Sequence, residues 1–268
     1  MNTQLRSRVI TASLGIPLLI LIIGWGRPEH FLLLVFLLTI VALCEYFFMV
    51  FRGRRKEQAL GILLGVLVSL GIIFPGNLEP GLWLGGVIVL AFLSYLFSGG
   101  KLEERYQHLG WTVLGTLYVG YLVPHLLLLY RSPDGREWVF FVLLVIMAGD
   151  TTGYFVGTSL GKKKLYPEIS PAKTVEGALA SLAASALAGV VGGKLLLPAT
   201  SWLESLLLSL VLSILGQAGD LCESWVKRVF SVKDSGNLLP GHGGLLDRMD
   251  SLIFPVVFAT YYLRLLHP

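Results

Sequence analysis

Charge is what this sequence has least of. Of its 268 residues only 14% are Asp, Glu, Lys or Arg, while 54% are apolar. A soluble domain of this length needs far more charge to cover its surface, so composition excludes an ordinary water-soluble globule and points to a body embedded in lipid. Cysteine is nearly absent. Cys44 and Cys222 make neither a disulfide framework nor a metal-ligand spacing, and each reads as a small buried hydrophobe. Basic tracts interleaved with aromatics are missing outside the apolar runs, which sets nucleic-acid binding aside despite a net charge of +4. There is no internal repeat and no low-complexity tract. No small-residue cleavage site follows the apolar run after Arg6 and Arg8. Trp25-Gly26-Arg27-Pro28 leads straight into a second run, so the first reads as an uncleaved span.

What the chain does have is apolar runs. A helix crossing the hydrocarbon core needs about 20 mostly apolar residues. Nine stretches are candidates, Val9–Gly26, Phe31–Phe51, Ala59–Phe74, Leu82–Phe97, Leu109–Leu129, Trp138–Gly157, Ala178–Leu197, Trp202–Leu221 and Ser251–Leu266, of which the third, fourth and ninth are short and must sit nearly upright or thin the bilayer. Open strands are excluded because lipid cannot satisfy their edges. The expected fold is therefore an all-α polytopic integral membrane protein with about nine transmembrane helices. With the N-terminus in the cytoplasm and the C-terminus outside, 16 of the 21 Lys and Arg residues fall on the inner side and five on the outer. Residues 1–130 form an N-terminal block of five spans, and residues 131–268 a catalytic region of four spans with two inner loops.

Three places depart from plain Leu/Val/Ile/Gly helix. Glu45 lies deep in the second span, where an ionised carboxylate costs about 2.5–3.5 kcal/mol. It is either protonated and bonded to a neighbouring helix or lines a polar cavity. Asp150 ends the sixth span and precedes the loop to Gly177. The third place is Asp220–Asp250, where nine of 31 residues are charged against about four for the average composition. Asp220, Glu223, Ser224 and Lys227 are spaced i, i+3, i+4, i+7 and share a helical face, with apolar Leu221, Trp225 and Val229 opposite. Asp247 and Asp250 also share a face. Between them the glycine-rich turn Lys233–Gly244 lets backbone N–H groups approach an anion closely.

Two helices meeting here would converge Asp220, Asp247 and Asp250. Oxygen-only ligands suit Mg²⁺ beside a phosphate better than zinc. The other reading of the same charges is an ion-pair network of the Asp220–Lys227 and Asp247–Arg248 type. In the preceding inner loop Lys162–Lys164 read as a positive-inside anchor. Ser170, Lys173, Thr174 and Glu176 offer a cation and hydroxyls suited to a polyphosphate beside a metal.

The run Ser224-x-Val226-Lys227-Arg228-x4-Lys233-Asp234-x-Gly236-x2-Leu239-Pro240-x-His242-Gly243-Gly244-Leu245-x-Asp247-Arg248-Met249-Asp250 resembles the signature of the phosphatidate cytidylyltransferases, or CDP-diacylglycerol synthases. Ser170-Pro171-x-Lys173-Thr174-x-Glu176-Gly177, Asp150-x2-Gly153-Tyr154-x2-Gly157 and Glu45-Tyr46 are similar to further motifs of that family. The likeness covers most of the chain and is strongest over residues 145–255. Thr158 departs from it, standing where a basic residue is expected, with Lys162–Lys164 as substitutes.

The resemblance implies transfer of a cytidylyl group from CTP to phosphatidate, giving CDP-diacylglycerol and pyrophosphate for phospholipid synthesis. The site would face the cytoplasm from the cell's inner membrane and be open sideways to the inner leaflet. Asp220, Asp247 and Asp250 would bind Mg²⁺, one ion or two. Lys173, Lys227 and Arg228 would hold the phosphates of CTP or of the lipid. His242 would contact a phosphate or shuttle a proton, and Asp150 would orient Lys173 or a metal-bound water. Lys233 and Arg248 would reach the substrates or, with Asp234 and Ser224, pin the turn. A homodimer is suggested by the resemblance alone. The competing readings are a CTP-dependent enzyme of another lipid phosphate and an ion-coupled transporter with Asp220 and Glu45 along its path. The spaced aspartates of CDP-alcohol phosphotransferases are not found.

Overall fold

Small residues decide how closely helices this apolar can approach one another, and the chain sets them in rows. A computed structural model describes residues 13, 15, 17–74, 76, 80–238 and 243–266. Apart from one short hairpin, the regular structure of the described residues is helical, and the protein is a multi-pass membrane protein. Among the described residues, six helices are long and apolar enough to cross a bilayer: Pro28–Val50, Arg55–Ile73, Leu102–Tyr130, Gly135–Ser159, Val175–Leu196 and Trp202–Val229, with a shorter apolar helix at Gly81–Leu96. The first expected span lies partly outside the described residues, and the chain is helical over residues 17–25. The last expected span belongs to a helix running Leu246–Leu266.

The chain divides into two compact units. The first runs to Leu128 and adds Asp234–Asp247; the second holds Leu129–Lys233 and resumes at Arg248. In the first unit α1 (Pro28–Val50), α2 (Arg55–Ile73), α3 (Pro80–Leu96) and α4 (Leu102–Gly115) follow in order. A π-helical turn, Thr116–Tyr121, then leads to α5 (His125–Tyr130). Pro28 opens α1 at the position where its missing N–H costs nothing. A Cβ on Gly61 or Gly65 would fall 2.4 Å from Phe47 or Leu43 of α1. This small-residue pair therefore seats α2 on α1 within the chain. At the π-helical turn, Ser69 donates to the carbonyls of Gly65 and Gly120, 2.8 Å each, tying two backbones that touch.

The second unit contains α6 (Gly135–Ser159), β1 (Lys164–Tyr166), β2 (Ser170–Thr174), α7 (Val175–Leu196), α8 (Trp202–Val229) and the part of α9 (Leu246–Leu266) from Arg248 on. Gly149, Gly153 and Gly157, four apart on α6, meet Ser181, Gly177 and Thr174, and Ser185 donates to the Val145 carbonyl at 2.9 Å. Gly189 and Gly193 of α7 meet Ser209 and Ser205 of α8. Gly216 and Gly219 let α8 lie on the backbone of α9, where a Cβ at Gly219 would be 2.4 Å from the Asp250 carbonyl oxygen. Helix α8 opens on a capping box, Ser201 with Glu204. It runs on past the end of the expected span at Leu221 to Val229, and neither Gly nor Pro falls in that extension. The loop after α6 holds what periodicity did not reveal, an antiparallel hairpin pairing Lys164 with Thr174 and Tyr166 with Ser170.

Candidate functional site

The polar stripe of α8 faces inward. Glu223, Ser224 and Lys227 are buried, while Cys222, Trp225 and Val229 are exposed on the remaining surface of the helix. Cys222 is therefore not the buried hydrophobe expected; the turn of the helix puts it beside Trp225 on the apolar side. Lys173, near the end of β2, reaches Asp220 with Nζ 2.6 Å from Oδ2. Ser224 donates to the other oxygen of Asp220 at 3.3 Å. One turn on, Lys227 donates to Glu223 at 2.5 Å. The close approach at Gly219 brings Asp250 of α9 to the same face. Its carboxyl lies beside Glu223, Asp220 and Lys227. Asp150, at the far end of α6, accepts from the Ser251 hydroxyl at 2.9 Å and feels the charges of Asp220, Lys173 and Arg248.

These contacts make one cluster of alternating charge. Four carboxyls, Asp150, Asp220, Glu223 and Asp250, are interleaved with Lys173, Lys227 and Arg248. Pairing of this kind is what allows charge to persist beside apolar helices. Glu223 and Ser251 are the members that sequence reasoning did not assign. Glu223 stood on the stripe and could have been included from its spacing. Ser251 carried no local signal, since its contact with Asp150 spans 101 residues.

The hairpin is fastened to this cluster by the remaining expected substrate residues. Thr174 caps α7 by accepting from the Gly177 N–H at 3.1 Å. Glu176 accepts from the backbone N–H groups of Lys162 and Lys163 at 3.1–3.2 Å, closing the loop at its start. Arg228 donates from Nε to the Ile169 carbonyl at 3.1 Å and from Nη1 to the Val232 carbonyl at 3.0 Å. Ser170 is half-buried in β2, and Lys233 and Arg248 are exposed. Thr158 turns its hydroxyl back to the carbonyls of Tyr154 and Phe155. His242 lies outside the described residues.

A second carboxylate pair is built within the first unit. Asp247 accepts from the backbone N–H groups of Ser235 at 2.9 Å and Gly244 at 2.8 Å. Glu45, on α1, accepts from Leu245 N–H at 2.9 Å, Leu246 N–H at 2.8 Å and the Ser235 hydroxyl at 3.2 Å. The anion that receives backbone N–H groups of the glycine-rich segment is thus the protein's own Asp247, while Glu45 takes those of Leu245 and Leu246 just after it. Glu45 is bonded to a neighbouring helix, as one of its two readings had it: its partners are Ser235, Leu245 and Leu246, at the start of α9, where the first N–H groups of a helix lack partners of their own.

The donor set of the second unit suits Mg²⁺. Its carboxylates and hydroxyls are all oxygen ligands, the kind a hard cation takes. Among the described residues no three His, Cys, Asp or Glu side chains form a ready-made metal cage. Mg²⁺ does not need one, since it binds through one or two carboxylates and completes its shell with water and substrate phosphates. Asp220 and Asp250 fit that mode.

Comparison with known proteins bears on the whole chain. The model of the cytidylyltransferase family matches residues 6–266. A phosphatidate cytidylyltransferase of Bacillus subtilis (strain 168) is 34% identical over 271 aligned residues, covering 98% of each chain. One from Staphylococcus epidermidis is 36% identical, covering 83% of this chain and 85% of its own. One from Brucella abortus is 45% identical over 145 residues, 54% of this chain and 53% of its own.

Proposed function

The chain belongs to the cytidylyltransferase family, and from that premise we infer that it transfers the cytidylyl group of CTP to phosphatidate, giving CDP-diacylglycerol and pyrophosphate for phospholipid synthesis. The observation that carries this reading to particular residues is the Lys173–Asp220 ion pair, 2.6 Å, half-buried beside the buried Glu223, Lys227 and Asp250. Both substrates are anionic and repel each other, so a site for them needs cations to neutralise them and carboxylates to hold a metal.

In the proposed reaction a phosphate oxygen of phosphatidate attacks the α-phosphorus of CTP. The bond from the α-phosphorus to the bridging oxygen breaks, and pyrophosphate leaves with that electron pair. Phosphatidate is itself an adequate oxygen nucleophile near neutral pH, so no protein nucleophile is required. Lys173 and Lys227 neutralise and orient the phosphates. Arg228, with two donors on backbone carbonyls, holds the hairpin and presents its charge beside it. Asp150 orients Lys173. Lys233 and Arg248, both exposed, meet anionic groups arriving from the cytoplasm, and Ser170 adds a hydroxyl. Thr174 and Glu176 support the binding loop through their backbone contacts. His242 contacts a phosphate or relays a proton. Asp220 and Asp250, with Asp247, would hold Mg²⁺, one ion or two. When bound, Mg²⁺ supplies charge neutralisation at the polyphosphate.

The proposal places nine spans in the cell's inner membrane, N-terminus and site on the cytoplasmic side, C-terminus outside. The lysine and arginine asymmetry supports this orientation. It also includes a homodimer, which rests on family resemblance.

Purified protein in detergent, given CTP, phosphatidate and Mg²⁺, is expected to form a lipid-soluble cytidine product together with pyrophosphate. No such product with any divalent cation would overturn the reading.

A further inference from the structure

Glu45 is a buried carboxylate in a membrane-spanning helix that the reaction scheme leaves unused. Its oxygens receive two successive backbone N–H groups, Leu245 and Leu246, and the Ser235 hydroxyl. Ser235 also donates its own N–H to Asp247, and Gly244 does the same, so the two carboxylates share Ser235 as a donor. The turn has no slack against Glu45. A Cβ on Gly236 would stand 2.6 Å from its Oε1, and a Cβ on Gly244 would stand 2.6 Å from its Oε2 and 2.2 Å from the Ser235 Oγ. The glycines at 236 and 244 are therefore required by an internal carboxylate, independently of any phosphate.

We propose that Glu45 is a positioning residue of the transfer reaction: it tethers Ser235, Leu245 and Leu246, and through them fixes Asp247. This rests on the cytidylyl-transfer reading for its kinetic consequence, but the tether itself does not. A carboxylate can accept from all three donors. A Gln side chain offers a single oxygen and turns an NH₂ group toward donors, so isosteric replacement breaks the arrangement without changing its size.

The test is Glu45→Gln in the full-length protein in detergent, with Ser235→Ala as a milder second variant that keeps the Ser235 N–H to Asp247. Hydrogen exchange is read first. The amides of Gly244, Leu245 and Leu246 are expected to exchange about tenfold faster or more in Glu45→Gln, while those of α7 and α8 do not change. Kinetics are read second. Mispositioning of a reacting group by about 1 Å costs on the order of a hundredfold. Glu45→Gln is therefore expected to lower kcat at least tenfold and to raise the Mg²⁺ concentration for half-maximal activity, with Ser235→Ala shifted the same way by less. A merely structural role would reduce the amount of active protein and leave the Mg²⁺ dependence where it was. Unchanged exchange at 244–246 in both variants, or faster exchange with unaltered kcat and Mg²⁺ dependence, would overturn the proposal. Wild-type protein without cytidylyl transfer would sink the functional reading and the kinetic role with it, while the exchange arm would still judge the tether.

Discussion

Lys173 and Asp220 hold each other in place from two different elements, β2 and α8, and neither charge is fully exposed, at 25% and 34% of side-chain area. In the proposed reaction such a pair would present a cation for phosphate and a carboxylate for metal in fixed register, each keeping the other oriented until substrate arrives. Lys173→Met is expected to lower kcat/KM by about a hundredfold or more, and Asp220→Asn by a similar factor. Because the two act as one unit, the double variant should lose little beyond either single one. Steady-state kinetics on all three, with size-exclusion profiles to show that each is folded, measures this. Fully multiplicative losses would mean that the residues work separately. The identities of Lys173, Asp220 and Asp250 were legible in the sequence, because charge in a greasy chain is conspicuous. The partners of Glu45 were not. They lie 190–201 residues away, and no local pattern encodes a contact at that distance.

At the scale of elements, α8 and the hairpin carry the site between them. The amphipathic stripe of α8 was readable because a helix repeats every 3.6 residues and four polar residues fell in step. The hairpin was hidden. Its first strand is three residues long, and Pro167 and Pro171 weaken any strand signal in a stretch that otherwise reads as a charged loop. What holds the hairpin is equally non-periodic: Glu176 on two N–H groups at its start and Arg228 on the Ile169 carbonyl. Glu176→Gln exchanges an acceptor-only group for one that also donates. It is expected to speed exchange of the Lys162 and Lys163 amides and to raise KM for CTP about tenfold, with kcat within roughly threefold, since the loop that carries Lys173 loosens while the α8 groups stay put. A fall in kcat with KM unchanged would instead place Glu176 in the chemistry.

For the whole molecule, the fold follows from apolar length and from small residues at the contacts. Among the described residues six helices are long and apolar enough to cross a bilayer, and the proposed count of nine adds to them the short helix at Gly81–Leu96, the helix over residues 17–25 and α9. Single cysteines at positions 54 and 164, in a protein whose Cys44 and Cys222 are replaced by alanine, are expected to react with a membrane-impermeant thiol reagent only from the cytoplasmic side, and a cysteine at 132 only from the outside. Labelling of 54 and 132 from the same side would break the proposed topology. The claim on which everything else depends is that the group moved is cytidylyl and the bond broken lies beyond the α-phosphorus. Its most direct measurement follows the fate of CTP labelled at the α- or the γ-phosphorus, incubated with wild-type protein, phosphatidate and Mg²⁺. The account predicts that the α-label enters the lipid and the γ-label leaves in pyrophosphate. A γ-label in the lipid, or neither label there, would contradict it.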